Sequence, residues 1–309
     1  MVMQRFRPRF FTPLAAVALA IGLGGCSLIP VETLQHALGD AANALTTSSP
    51  TEDAATDNPL ASTTPDQLSA SNPGTIKPAV SPMPSGTALD ISSQEPQPGE
   101  YFDFQMCTAA WSFTLEDGRT FAVTASHCGK VGARVWAGNA HRTFTYPAEP
   151  VGEVVYSDLF AEDGHGLDVA FIELHGDVGY YTPKYMEANL AITEELPQQL
   201  CKLGRITGET CGELTHGPEK SGLNAGDTRL ETTAARARIC GTQGDSGGPI
   251  YASLPGGNAV IGVVSGTTKQ IQENHGCSDQ PDMELSFTPA ADIFELIPQV
   301  LGSEVAQAQ

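Results

Sequence analysis

The stretch GDSGGP, residues 244–249, decides the fold of this chain. Glycines on both sides of Ser246 let the backbone adopt positive φ and turn tightly. Such a turn can direct backbone N–H groups at a point beside the hydroxyl, which is the requirement for an oxyanion hole. Taken alone, the stretch also fits a glycine-rich hairpin turn.

Two further motifs offer catalytic partners for Ser246, whose hydroxyl is a weak nucleophile without a neighbouring base. The stretch TASHC, residues 124–128, contains His127, and the stretch GLDVA, residues 166–170, contains Asp168. A carboxylate of this kind can hold an imidazole in one tautomer. Taken singly, His127 also fits an interior histidine and Asp168 a cap at a strand edge. The three residue types together indicate nucleophilic catalysis.

The charge of the chain excludes one class of partner. The 309 residues include 36 Asp and Glu against 16 Lys and Arg, a formal net charge of −20. Nucleic-acid binding needs a face rich in Lys and Arg, and attraction to anionic lipid needs a polybasic segment. We therefore expect no nucleic acid as partner.

The N-terminus has the features of an export signal. Arg5, Arg7 and Arg9 precede an apolar run from Leu14 to Leu23. A charged start followed by a short apolar stretch is typical of a secretory signal. The run is about half as long as a membrane-spanning helix requires.

The signal ends in LGGC, residues 23–26, which resembles a bacterial lipobox. That resemblance implies a signal peptide over 1–25, a diacylated Cys26 and attachment to the outer face of a membrane. The alternative is ordinary signal cleavage and secretion. Cysteine parity favours lipidation, because removing Cys26 from seven cysteines leaves an even number.

The rest of the chain divides by composition. Residues 26–98 are rich in Ser, Thr, Pro, Ala and Asp and predict a disordered tether or, alternatively, a propeptide. Over 99–309, short apolar runs alternate with Gly, Asp, Asn and Pro clusters, which is typical of an all-β sandwich or barrel. Only Ala290–Leu301 has a helical apolar face.

The six remaining cysteines are candidates for disulfides, the default in an exported protein. Six cysteines allow fifteen pairings, and their spacing alone does not choose among them. Zinc binding is the alternative because His127 adjoins Cys128, but no CxxC or HxxxH pair accompanies them. We therefore expect no metal.

Over residues 101–301 the chain resembles the chymotrypsin superfamily of serine proteases, most closely its bacterial streptogrisin and α-lytic branch. TASHC matches the family's histidine segment, LDVAFIEL its aspartate segment and GDSGGP its nucleophile loop. The implied fold is two six-stranded antiparallel β-barrels closed by a C-terminal helix. Barrel one would span 101–195, barrel two 196–288 and the helix 290–301.

The resemblance also implies the disulfides and the roles at the site. Cys240 precedes Ser246 by six residues, as in α-lytic relatives, and the implied pairings are Cys107–Cys128, Cys201–Cys211 and Cys240–Cys277. Ser246 would be the nucleophile, His127 the general base and Asp168 its support. The N–H groups of Gly244 and Ser246 would form the oxyanion hole, and Ser265 would contact Asp168.

The implied protein is a monomeric endopeptidase that acts on protein or peptide substrates without a cofactor. The alternative is a catalytically silent binding module with the same fold. The segment after Ser265 would form one wall of the pocket that binds the P1 residue. Relatives have two glycines in this segment, whereas this chain has Gly266-Thr267. The β-branched Thr267 favours a small or medium apolar P1. Asp282 or Glu284 would instead favour a basic P1, or belong to a solvated loop.

Asp245 precedes the nucleophile, and in this fold its carboxylate would turn inward. A buried carboxylate needs a cation, and no typical activation sequence near Tyr101 offers a new N-terminus. The stretch from Cys201 to Cys211 resembles a short disulfide loop of the bacterial branch. In α-lytic relatives a basic residue after the first cysteine of this loop fills the role, which implies Lys202 here. Arg236 or Arg238 is the alternative partner.

The lipid anchor gives the first testable prediction. Wild-type protein is expected in the membrane fraction of expressing cells, and Cys26→Ala is expected to be released or misprocessed because it removes the acylated thiol. Fractionation and mass determination of the mature N-terminus measure both. An unmodified N-terminus well beyond Cys26 would contradict the prediction.

Overall fold

The structure is a computed structural model. It describes residues 74–76, 82–141, 143–146, 148–175, 182, 184, 186, 189–193, 195–225, 228–267, 277 and 282–307. The predicted signal peptide, Cys26 and most of the predicted tether lie outside the described residues. No helix in the described part is long and apolar enough to cross a bilayer.

A first sheet of seven strands has the order β3-β2-β6-β7-β8-β5-β4. The segment Thr120–Thr124 has the sequence TFAVT. Its β-branched and aromatic side chains pack well on a pleated, half-buried surface. The strands are β2 (Ala88–Ser92), β3 (Gln105–Thr108), β4 (Ser112–Thr114), β5 (Thr120–Thr124), β6 (Arg134–Ala137), β7 (Gly152–Ser157) and β8 (Ala170–Leu174).

A second sheet of eight strands has the order β1-β9-β14-β13-β10-β11-β12-β15, and β15 also pairs with β14. That extra pairing closes β10 to β15 into a barrel of six strands. The strands are β1 (Gly74–Ile76), β9 (Asn189–Ile192), β10 (Gln199–Gly204), β11 (Gly208–Ala225), β12 (Thr228–Ala237), β13 (Pro249–Leu254), β14 (Gly257–Thr267) and β15 (Leu285–Pro289).

The predicted C-terminal helix is confirmed as α1 (Ala290–Leu301). It buries Ile293, Leu296 and Ile297, which recur at helical spacing and pack towards β9, β14 and β15. The helix ends at Gly302, whose φ of 73° is the left-handed conformation that glycine adopts at low cost.

The all-β double-barrel class is confirmed: the closed barrel of the second sheet has the expected six strands, and the two sheets contain seven and eight strands in all. In the first sheet the additional strand is β2, which lies before the range 101–195 predicted for barrel one. In the second sheet, β1 and β9 extend the closed barrel beyond β14. Strand β9 falls in the range predicted for barrel one but pairs with β1 and β14 of the second sheet.

The folded domain also extends further towards the N-terminus than the predicted start at residue 99. Strand β2 lies between β3 and β6, and all five of its residues are buried. Its sequence, ALDIS, is short and contains Asp90, so it lacks the alternation that marks a strand. Asp90 is nevertheless buried, and it forms an ion pair with the equally buried Arg205.

Three disulfides link the described strands and loops. They join Cys107 to Cys128, Cys201 to Cys211 and Cys240 to Cys277. These are the pairings that the resemblance implies. The first bridge ties β3 to the loop of His127, and the second crosses from β10 to β11 at directly opposite residues.

The burial of β2 predicts that its apolar side chains stabilise the domain. Leu89 is 0% exposed, so Leu89→Ala is expected to lower the free energy of unfolding by about 2–5 kcal/mol through lost burial and a cavity. Urea unfolding of the disulfide-bonded protein measures the change. Val131→Ala is the control, because Val131 is 64% exposed. Equal stability of the two variants would contradict an integral β2.

Candidate active site

His127 and Asp168 are brought together by the pairing of β5 with β8. The two strands are antiparallel, with Thr124 opposite Ala170. His127 follows the end of β5, in a 3₁₀ turn over Ser126–Cys128, and Asp168 precedes the start of β8. The end of one strand and the start of its neighbour therefore place both side chains at the same edge of the sheet.

The carboxylate of Asp168 is fully buried and accepts hydrogen bonds on both oxygens. The backbone N–H of His127 donates to Oδ1 at 2.9 Å, and Nδ1 of the ring lies 2.8 Å from Oδ2. Ser265, in β14 of the second sheet, donates its hydroxyl to Oδ2 at 2.5 Å. Asp168 thus fixes the orientation of the imidazole and is itself fixed from both sheets.

Burial and charge act in opposite directions on this pair. Burial alone would lower the pKa of His127, but the charge of Asp168 and the hydrogen bond to it outweigh burial and raise that pKa. Burial alone would raise the pKa of Asp168, but the neighbouring His127 and the hydrogen bond from Ser265 lower it. The pair therefore favours an ionised carboxylate beside an imidazole that binds protons readily.

Ser246 lies in the turn before β13, and its neighbour Gly247 brings that turn against β5. Gly247 has a φ of 82°, and a β-carbon there would lie 2.0 Å from Oγ1 of Thr124. Only glycine permits this approach, three residues before His127. The N–H of Thr108 donates to the carbonyl of Ser246 at 2.8 Å. The partly exposed Ser246 is thereby held beside the chain that carries His127.

The backbone of the serine turn leaves two donors available. Asp245 and Gly247 donate their N–H groups to the carbonyls of Thr242 and Val264. Within the described residues, the N–H groups of Gly244 and Ser246 have no protein acceptor. Two neighbouring N–H groups without acceptors suit the binding of a developing oxyanion.

The carboxylate of Asp245 turns inward, and the residue is only 1% exposed. Nζ of Lys202 lies 3.2 Å from Oδ2. Thr207 donates its hydroxyl to Oδ2 at 2.5 Å and its N–H to Oδ1 at 3.1 Å. The N–H groups of Ile206 and Thr242 complete the set, at 2.8 and 3.0 Å.

Lys202 is fully buried with Asp245. Burial lowers its pKa, and the charge of Asp245 offsets this only in part. The two alternative partners lie elsewhere: Arg236 pairs with Glu219 and lies 3.7 Å from Glu284, and Arg238 is exposed.

The predicted pocket residues Gly266 and Thr267 lie in β14, close to the segment that follows Cys240. A β-carbon on Gly241 would lie 3.5 Å from Cγ2 of Thr267 and 3.0 Å from Cδ1 of Leu285. Leu223, in the long β11–β12 hairpin, packs against Gly266. A β-carbon on Gly266 would lie 2.9 Å from Cδ1 of Leu223. Thr267 thus packs close to Gly241, and Leu223 packs close to Gly266.

Sequence reasoning does not identify Thr108, Thr207 or Asp158. The 1% exposed Asp158 accepts hydrogen bonds from the N–H groups of His165 and Leu167 and from the hydroxyl of Tyr156. It thereby shapes the loop before Asp168. No motif marks these residues, and Thr207 stands out only as part of the short disulfide loop.

Solved structures of proteases are among those similar to this chain. Thermobifida fusca Protease A is similar over 72% of this chain and 98% of its own, at 23% identity and a TM-score of 0.46. Nocardiopsis Protease is similar over the same shares, at 19% identity and a TM-score of 0.46. A comparison with curated proteins gives no match.

A family model described as Trypsin matches residues 101–279. This match begins after β2 and contains the residues that form the site. Because it spans more than half of the chain, the protein belongs to the trypsin family of chymotrypsin-like serine proteases and is a serine endopeptidase.

Proposed function

We propose that this serine endopeptidase cleaves peptide bonds with Ser246, His127 and Asp168 as its catalytic residues, and that it is exported and lipid-anchored. The observation that carries the catalytic part is the buried Asp168, which binds His127 from one sheet and Ser265 from the other. An arrangement that fixes a histidine this tightly beside a serine turn suits acyl transfer.

In the first half of the reaction, Oγ of Ser246 attacks the scissile carbonyl carbon and His127 takes the hydroxyl proton. The C–N bond then breaks, and His127 returns that proton to the leaving amine. In the second half, a water molecule attacks the acyl-enzyme in the same way and releases the new carboxyl terminus. Asp168 stabilises the imidazolium in both halves.

The negative charge on the attacked oxygen is bound by the N–H groups of Gly244 and Ser246. These donors stabilise the oxyanion effectively because they are held in place before the reaction, so the protein does not have to reorganise in the transition state. Loss of one such donor lowers the rate by about 10²–10³ in known proteases. The rigid surroundings of Asp245 support this role.

For the P1 residue we propose a small or medium apolar side chain. The packing of the β-branched Thr267 close to Gly241 supports this. Arg236 lies 3.7 Å from Glu284 and offsets its charge, which weakens the case for a basic P1. Cleavage of a peptide library measures the preference, and a dominant Lys or Arg at P1 would contradict it.

Export is supported by the three disulfides, which persist in oxidising compartments. The lipid on Cys26 is proposed from the LGGC stretch alone. The alternative function, a binding module without catalysis, would not require the tightly held His127 and Asp168.

A fluorophosphonate probe tests the enzyme directly. Full-length, disulfide-bonded protein is expected to take the probe on Ser246, and Ser246→Ala is expected to take none. Mass spectrometry of the digested protein locates the label. A folded wild-type protein without label on Ser246 would support the binding module instead.

Asp168→Asn is expected to lower kcat by about 10⁴, the size of the effect known for this substitution in a related triad.

Activity requires neutral His127, whose pKa is raised, so wild-type kcat/KM falls as the pH drops through a value above about 6.5. In Asp168→Asn the carboxylate charge no longer opposes the effect of burial, so the pKa of His127 falls. The loss of kcat/KM with decreasing pH is therefore expected at a lower pH than in the wild type. Asp163→Asn, at an exposed aspartate, is the control. A flat wild-type profile between pH 5 and 8 would reject His127 as the base.

The buried Lys202–Asp245 pair gives a separate prediction. Removing one partner of such a pair costs about 3–5 kcal/mol, because the other charge remains buried. Lys202→Met is expected to lower both the melting temperature and kcat/KM. Arg238→Met, at an exposed arginine, is the control and is expected to change neither. Wild-type stability and turnover in Lys202→Met would contradict a structural role for the pair.

A further inference from the structure

A buried arginine that the catalytic chemistry does not use lies in the turn between β10 and β11. Arg205 is 3% exposed. The next two residues, Ile206 and Thr207, donate their N–H groups to the carboxylate of Asp245. The position of Arg205 therefore affects the turn that holds the residue before the nucleophile.

The guanidinium of Arg205 is bound on all sides. It donates to the carbonyls of Leu89 at 2.9 Å, Asn139 at 3.0 Å and His141 at 3.0 Å, and it pairs with the carboxylate of Asp90. Asp90 is 1% exposed. Both charges are removed from water, so each depends on the other. The planar fork of an arginine can make these directed contacts at once, and a lysine cannot.

A second route leads from the backbone of Arg205 to the serine turn. Its N–H donates to Oγ1 of Thr108 at 3.1 Å, and that hydroxyl donates to the carbonyl of Gly244 at 2.8 Å. The N–H of Thr108 also binds the carbonyl of Ser246. The turn that contains Arg205 thus meets residues 244–246 at Asp245 directly and at Gly244 through Thr108.

We propose that Asp90 and Arg205 are positioning residues for the oxyanion loop, residues 244–246, and that β2 is for this reason part of the working enzyme. Asp90 fixes the guanidinium, the guanidinium fixes the turn, and the turn holds the loop at two points. The inference rests on the proposed function, because a fixed loop matters for rate only if the loop binds an oxyanion.

This role limits how the chain can be processed. Removal of residues 26–98 as a propeptide would take away Asp90 and leave the charge of Arg205 buried without its partner. A processing cut that yields active enzyme therefore lies before Ala88.

The test uses full-length, disulfide-bonded protein with Asp90→Asn, Arg205→Lys and Thr108→Val. Asp90→Asn removes one charge, and Arg205→Lys keeps the charge but loses the fork. Thr108→Val removes the hydroxyl that accepts the N–H of Arg205 and donates to the carbonyl of Gly244. All three are expected to lower kcat by about 10- to 100-fold, part of the known effect of an oxyanion donor. KM is expected to change little, because the lost interaction acts in the transition state.

Hydrogen exchange of peptides covering 242–248 provides a readout that does not depend on activity. The same variants are expected to exchange faster there than wild type. Ile293→Val, within α1 and away from the turn, is the control for a general loss of stability and is expected to change neither kcat nor exchange at 242–248.

The outcomes separate the two proposals. Wild-type kcat and wild-type exchange at 242–248 in Arg205→Lys and Thr108→Val would overturn the positioning role, even if Asp90→Asn fails to fold. Faster exchange in the variants, together with a wild-type protein that takes no fluorophosphonate on Ser246, would leave the positioning role intact and reject the proposed function.

Discussion

The burial of one carboxylate, that of Asp245, is the constraint on which the site depends. Ionised groups inside a protein need both an opposite charge and hydrogen bonds to replace water. Lys202 supplies the charge, and Thr207 and neighbouring backbone N–H groups supply the hydrogen bonds. Because these partners lie on β10, on the turn after it and beside the serine, the carboxylate holds these three segments together. That arrangement leaves the N–H groups of Gly244 and Ser246 without an acceptor in the part of the chain that the structure describes.

A second buried carboxylate joins the two sheets. Asp168 belongs to the first sheet, but it accepts a hydrogen bond from Ser265 of the second. The carbonyl of Gly166 likewise accepts the N–H of Thr233 in the long β11–β12 hairpin. The imidazole of His127 is therefore aligned by groups from both barrels. A shift of one barrel relative to the other would therefore misalign His127 even if both hydrophobic cores stayed packed.

Much of this arrangement is predictable from local signals. GDSGGP, TASHC and LDVAFIEL are short contiguous motifs, so each catalytic candidate stands out from its immediate neighbours in the chain. The apolar spacing of Ala290–Leu301 predicts α1 to its observed bounds. Strand β2 escapes prediction because its burial depends on Arg205, which lies more than a hundred residues away in sequence. Thr108 escapes it for the same reason, since a lone threonine carries no pattern that reveals a distant partner.

The chain passes between the two barrels near both of its described ends. Strand β1 pairs in the second sheet, and β2 follows it in the first. At the other end, α1 packs on the second barrel, and Val305 then pairs with Leu115 of the first. Neither barrel can open without pulling on a segment anchored in the other. Partial opening, the form in which other proteases attack a folded chain, therefore requires breaking contacts in both halves at once.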